Sequence, residues 1–184
     1  MSGTGTTRRR SRLVRCLAVG AMLVLLRPGA PGAQEVTGAA LRAAFLFNFV
    51  KFTTWPAEAL PDNAPLVMCV VNAPAIGAAL TEAVEGRVVA GHELRVAQPT
   101  ASKGLGHCHV LYVSGPRQGV LAALAAVRHL PVLTVSDLQG FTTEGGIAQL
   151  HVQQGQLRFV FALDAVRAAQ LQISSRLLAL SREP

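Results

Sequence analysis

Residues 41–56 read LRAAFLFNFVKFTTWP. The chain carries seven Phe, one Trp and one Tyr, and five of these aromatics fall here: Phe45, Phe47, Phe49, Phe52 and Trp55. Leu41, Phe45, Phe49 and Phe52 recur at i, i+4, i+8 and i+11, which is one face of an α-helix. Phe47 and Val50 lie off that stripe, so the helix is apolar around most of its circumference. Such a helix is either buried on two sides or keeps one side for another protein. Asn48 and Lys51 form a narrow polar strip between the apolar faces. Pro56 disfavours helical geometry at the residue before it and is expected to end the helix. Fully burying each large side chain is worth roughly 1.5–3 kcal/mol, enough for this segment to anchor a domain. The expectation is a core helix whose outward side, with Phe47, Val50, Lys51 and Trp55, is left for a partner.

Upstream, residues 1–33 read as a secretory signal. A basic start, TTRRRSRLVR, precedes the apolar run CLAVGAMLVLL from Cys16 to Leu26. Eleven residues are too few to span a bilayer, which takes about 20, and suit a signal h-region. Small residues and prolines follow, and cleavage after Ala33 would leave residues 34–184 as one exported domain. Cys16 sits inside the apolar run, where it does not read as a lipid-bearing cysteine.

The charge distribution supports this division. The net charge of +7 suggests nucleic acid, yet six of the 17 basic residues lie in the leader: Arg8, Arg9, Arg10, Arg12, Arg15 and Arg27. From Gln34 onward eleven basic residues face ten acidic ones, and no basic run survives. The exported part has no electrostatic footprint for a phosphate backbone, which excludes nucleic acid as the expected partner.

Downstream, PLVMCVVN (65–72) is a short continuous apolar run, expected as a buried strand. Residues 74–85 suit an Ala-rich helix, and 87–99 a strand pair turning at Ala90–Gly91. After a loop over 100–107, CHVLYVSG (108–115) is a second buried strand. Pro116 then opens a helix running to about Arg128, since a first-turn proline lacks only an N–H that has no helical partner. PVLTVSD (131–137) is a third strand, and FTTEGG (141–146) a loop. IAQLHVQ (147–153) and QLRFVFAL (156–163) alternate about Gln154–Gly155 as an antiparallel hairpin. Asp164 is expected to cap one last helix with Val166, Leu171, Leu177 and Leu178 on its apolar face. The fold class is therefore α/β: a mixed β-sheet with helices on both faces and a C-terminal antiparallel hairpin followed by a helix.

No constellation reads as an active site. After the leader two cysteines remain, Cys69 and Cys108, both in expected buried strands. Export favours pairing them, a bridge worth roughly 4 kcal/mol in the chain-entropy model; two buried free thiols are the alternative. In His107-Cys108-His109, strand alternation would put the histidines on one face and the cysteine on the other, so they would not converge on a metal or form a nucleophile. Glu144-Gly145-Gly146 precedes a strand rather than a helix, which makes it a turn rather than an anion cradle. Ser136-Asp137 and Ser174-Ser175 have no histidine at a catalytic spacing, and the carboxylates are scattered singly. The expectation is a non-enzyme with no catalytic residue, no metal and no cofactor.

Five separated pieces carry a resemblance: AAFLFNFVKFTTWP (43–56), LVMCVVN with its cysteine, GHCHVLYVS, PVLTVSDLQGFTTEGGIAQL (131–150) and LRFVFALDAVRAAQLQISSRLLALS (157–181). In this order the chain resembles the YfiR family of bacterial periplasmic proteins over nearly all of residues 36–182. The resemblance implies a periplasmic α/β regulator without catalytic activity. Such regulators repress an inner-membrane diguanylate cyclase by binding its periplasmic sensor domain, lowering cyclic di-GMP and biofilm formation. It also implies a homodimer, and a disulfide between Cys69 and Cys108. A second pair found in the best-known member would fall near Phe141–Leu150, where this chain has no cysteine. Other relatives accompany other membrane sensors, including histidine kinases. The competing expectations are a periplasmic small-ligand-binding module acting with a kinase or receptor, and a metal-handling protein using the histidines.

Overall fold

The computed structural model of the chain describes residues 1–3, 31–100 and 104–181. The signal reading rests on residues 4–30, which lie outside the described residues. The first element is helix α1, Pro31–Lys51, followed by a short strand β1, Thr53–Thr54. Then come β2 (Leu66–Val71), α2 (Pro74–Val84), β3 (Val88–Val89) and β4 (His92–Ala97). A 3-10 turn, Leu105–His107, leads into β5 (Val110–Val113), α3 (Arg117–Ala126) and β6 (Leu133–Ser136). The chain closes with β7 (Ala148–Gln153), β8 (Gln156–Phe161), α4 (Leu163–Ala168), β9 (Gln172–Ile173) and α5 (Ser175–Leu178).

Seven strands form one mixed sheet in the order β3-β4-β2-β5-β6-β7-β8. The five central strands run parallel, and β3 and β8 are antiparallel edges. The parallel strands are nearly all apolar because both sheet faces are covered. Alternation along β2 divides the core: Leu66, Met68 and Val70 pack with α1 and α2, whereas Cys69 and Val71 pack with α3 and Phe141 on the opposite face. In β5, Val110 and Tyr112 join the first face and Leu111 and Val113 the second. Both expected hairpins turn where expected. Ala90 and Gly91 have φ of 50° and 89°, and Gln154 and Gly155 have 51° and 74°. Positive φ at both central residues matches the right-handed strand twist.

The FTTEGG loop needs its two glycines for different reasons. Gly145 has a φ of 94°, a backbone demand. At Gly146 a Cβ would run into the buried Phe141 ring, a packing demand.

Three local expectations are corrected. The core stripe of α1 is Ala39, Ala43, Leu46, Phe49 and Val50; of the expected aromatic stripe Phe49 is buried, Phe45 and Phe52 pack half-buried against the core, and Leu41 is exposed. Small residues at 39 and 43 set the buried side, and Val50 follows Leu46 by one helical turn onto it. The helix also ends at Lys51 rather than at Pro56. Thr53 Oγ1 donates to the Phe49 carbonyl at 2.8 Å, the Ser174 amide donates to the Phe52 carbonyl at 2.9 Å, and β1 pairs antiparallel with β9. The C-terminal segment thus claims the backbone that would continue the helix.

The third correction follows from the second. The single closing helix is two short ones, α4 and α5, separated by Gln170 at a φ of 56° and by β9. Asp164 lies in the first turn of α4 with Ala162 at the N-cap, while Ser174 caps α5 by accepting from the Arg176 amide. Pairing with β1 is a tertiary demand that helix periodicity does not reveal.

Candidate functional site

Of the four residues expected to face a partner, the structure leaves two accessible. Val50 is 1% exposed and Trp55 8%, both in the core. The Trp55 indole N–H donates to the His109 carbonyl at 3.1 Å, so a buried group already satisfies its polar end. Phe47 is half-buried and Lys51 is exposed on the last turn of α1. Lys51 Nζ lies 5.5 Å from the Phe47 ring centroid, and the Arg87 guanidinium 4.9 Å from it. Two cations therefore contact one aromatic ring, an interaction worth about 0.5–1 kcal/mol where exposed. Arg87, to which no local sequence signal points, follows the Gly86 turn, and its neighbour Val88 is 63% exposed on the edge strand β3. Only tertiary proximity brings Arg87 to α1. Phe47, Lys51 and Arg87 form an amphipathic, cationic patch.

Cys69 and Cys108 form a disulfide with a Cα–Cα distance of 5.8 Å. His107 lies in the 3-10 turn rather than on a strand, so alternation does not separate it from Cys108. Its imidazole and the two sulfurs lie within 4.8 Å of one another, a convergence that strand alternation would exclude. Joined in a disulfide, the sulfurs are not the thiolates that a metal requires.

His109 turns elsewhere. The Val67 amide donates to its Nδ1 at 3.0 Å, so Nε2 carries the proton and donates to the Ala59 carbonyl at 3.1 Å. Burial, helped by the charges of His92 and His107 and opposed by the Ala59 bond, holds its pKa below the usual 6.5. A depressed histidine pKa means that the unfolded chain binds the proton more readily. Stability contributed by neutral His109 is full above pH 6.5 and is lost as pH falls through the lower folded-state pKa. We expect His109→Gln, which keeps a donor and an acceptor but cannot ionise, to show a smaller fall in urea midpoint than wild type between about pH 7.5 and pH 5. Equal falls in the two proteins would remove His109 from the account.

The YfiR/HmsC-like family model matches residues 39–182. The chain belongs to the YfiR/HmsC-like family. The match to this YfiR/HmsC-like chain spans α1 from Ala39 through α5 and so takes in the Phe47 patch and both cysteines. No curated protein matches the chain. Among solved structures, a conserved domain protein from Vibrio cholerae O1 biovar El Tor str. N16961 is similar over 78% of this chain at 14% identity, with a TM-score of 0.46. The chain spans 58% of that protein's length. Among the described residues no helix is long and apolar enough to cross a membrane, and the disulfide fits an exported protein.

Proposed function

We propose that this YfiR/HmsC-like protein is a periplasmic, non-enzymatic regulator that binds the sensor domain of an inner-membrane diguanylate cyclase and holds it inactive. Residues 1–33 serve as its cleaved signal, and residues 34–184 act as a homodimer. The family match over residues 39–182 carries this reading. The Phe47–Lys51–Arg87 patch is the proposed contact, with Val50 and Trp55 supporting it from the core. A repressor shifts its target only by binding the inactive form more tightly; a tenfold preference corresponds to about 1.4 kcal/mol.

The test is affinity capture of the mature protein from membranes, with the captured protein identified by mass spectrometry. A diguanylate cyclase with a periplasmic loop supports the reading, and a histidine kinase in its place overturns it. Phe47→Glu should stay folded with a stability loss of no more than about 1 kcal/mol, because the ring is only half-buried and Lys51 and Arg87 lie beside the new carboxylate. It should weaken cyclase binding at least tenfold, about 1.4 kcal/mol. A folded Phe47→Glu protein that binds normally would move the contact elsewhere.

A further inference from the structure

The backbone around the start of β5 holds three metal-ligating side chains together. Cys69 lies in β2, paired with Ala97 of β4 on one side and Leu111 of β5 on the other. Cys108 follows the 3-10 turn, where its amide donates to the Leu105 carbonyl at 3.1 Å. The next amide, that of His109, donates to the Val67 carbonyl of β2 at 2.8 Å. These bonds set the two cysteines opposite each other, with Cα atoms 5.8 Å apart, and none of them depends on the sulfurs being joined.

His107 is the third member. The turn brings its imidazole to the sulfurs, so that one ring nitrogen and both sulfurs lie within 4.8 Å of one another. His109 does not join them, because its two ring nitrogens are engaged by the Val67 amide and the Ala59 carbonyl. The cysteines are buried and His107 is exposed, so the cluster is closed on the core side and open on the other. His107 and Cys108 line an open cavity there, together with Glu58 and Pro131.

Two thiolates and an imidazole are a known three-ligand set for tetrahedral Zn2+, with water in the fourth position. Zn–S bonds of about 2.3 Å and a Zn–N bond of about 2.0–2.1 Å put such ligand atoms about 3.5–3.8 Å apart. With the Cα atoms where they are, side-chain rotation is enough to reach that spacing. Thiolate and imidazole donors also select zinc over hard cations such as Mg2+ and Ca2+. The sulfur–sulfur bond is what stands in the way.

We propose that reduction of the Cys69–Cys108 bridge converts Cys69, Cys108 and His107 into a Zn2+ site. A dithiol reductant supplies two electrons and two protons. The sulfur–sulfur bond is cleaved to two thiols, and the reductant is released as its own disulfide. Zn2+ then displaces the two thiol protons as two Zn–S bonds form, and neutral His107 gives a lone pair from its unprotonated nitrogen. Disulfide and metal are thus alternative ties between β2 and the start of β5. The inference does not depend on the cyclase reading, since the site needs no protein partner.

The test uses the full chain carrying Cys16→Ala, so that Cys69 and Cys108 are its only cysteines. The protein is reduced in urea, refolded without oxygen beside a chelator, freed of small molecules and titrated with Co2+ as the spectroscopic probe for Zn2+. One Co2+ per chain should bind, with a thiolate-to-cobalt charge-transfer band and the visible bands of a tetrahedral ion, both abolished by added Zn2+. Zn2+ should raise the Tm of the reduced protein by mass action and leave that of the oxidised protein unchanged. His107→Ala removes an exposed side chain, so the oxidised variant should melt close to wild type. Once reduced, it should bind Co2+ at least tenfold more weakly, with altered visible bands. A reduced protein that takes up no Co2+, an equal charge-transfer band in the oxidised protein, one metal per two chains, or a His107→Ala titration equal to wild type would overturn the assignment.

Discussion

The double variant Cys69→Ala, Cys108→Ala should lose about 2–5 kcal/mol of stability relative to the oxidised protein, the usual cost of removing a native disulfide. The bridge joins positions 39 residues apart, a loop for which chain entropy alone gives roughly 4 kcal/mol. For a chain of this size that is a fall in Tm on the order of 10 °C. The two cysteines are 1% and 2% exposed, and Cys69 lies in β2 near the centre of the sheet. Alanine is the right replacement because serine would add two buried hydroxyls. The measurement is urea denaturation of the oxidised wild type, the reduced wild type and the double variant. The latter two should agree with each other and fall below the first. If the double variant lies within about 0.5 kcal/mol of the oxidised protein, the range of an ordinary surface substitution, the bridge is dispensable for folding. The buried bridge should also resist reductant until the chain opens, so reduction should follow the unfolding rate.

Much of this fold was legible because most strands and turns are specified locally. The apolar run at 65–72, Pro74 and Pro116 at the starts of α2 and α3, and the Ala90–Gly91 and Gln154–Gly155 turns each announce their structure within a few residues. What was illegible depends on distant pairing. The β1–β9 ladder ends α1 early and divides the C-terminal helix, and neither Thr53 nor Gln172 advertises a partner at the other end of the chain. The surface patch was half legible. The aromatic run named Phe47 and Lys51 but placed Val50 outward, because it is Ala39 and Ala43, not the large side chains, that mark the buried side. The Arg42–Asp137 ion pair was illegible for a different reason: the two are single charged residues in separate parts of the chain, and only the fold brings them together.

Phe49→Ala should cost about 3–5 kcal/mol, the range for removing a buried phenylalanine. Phe49 is 0% exposed and sits among three other rings, with centroid distances of 6.1 Å to Phe45, 5.1 Å to Phe159 and 5.3 Å to Phe161. The contacts tie α1 to the edge strand β8, so deletion leaves a cavity between two elements far apart in the chain. Edge-to-face pairs add about 0.5–1.5 kcal/mol beyond the area they bury. Phe47→Ala, two positions away but only half-buried, should cost about 1 kcal/mol or less, chiefly the cation–π contacts with Lys51 and Arg87. Urea denaturation of the two variants therefore separates the side of α1 that holds the fold from the half-buried side proposed to meet a partner. Equal losses would mean that Phe47 is a core residue as well, and the patch would no longer serve as a contact surface. The distinction bears on function. Against a total stability of about 5–15 kcal/mol, loss of about 3–5 is enough to lower the abundance of folded protein in the cell without touching the proposed contact. Phe49→Ala would then mimic a binding defect through abundance, and only Phe47→Glu at unchanged stability would report on contact itself.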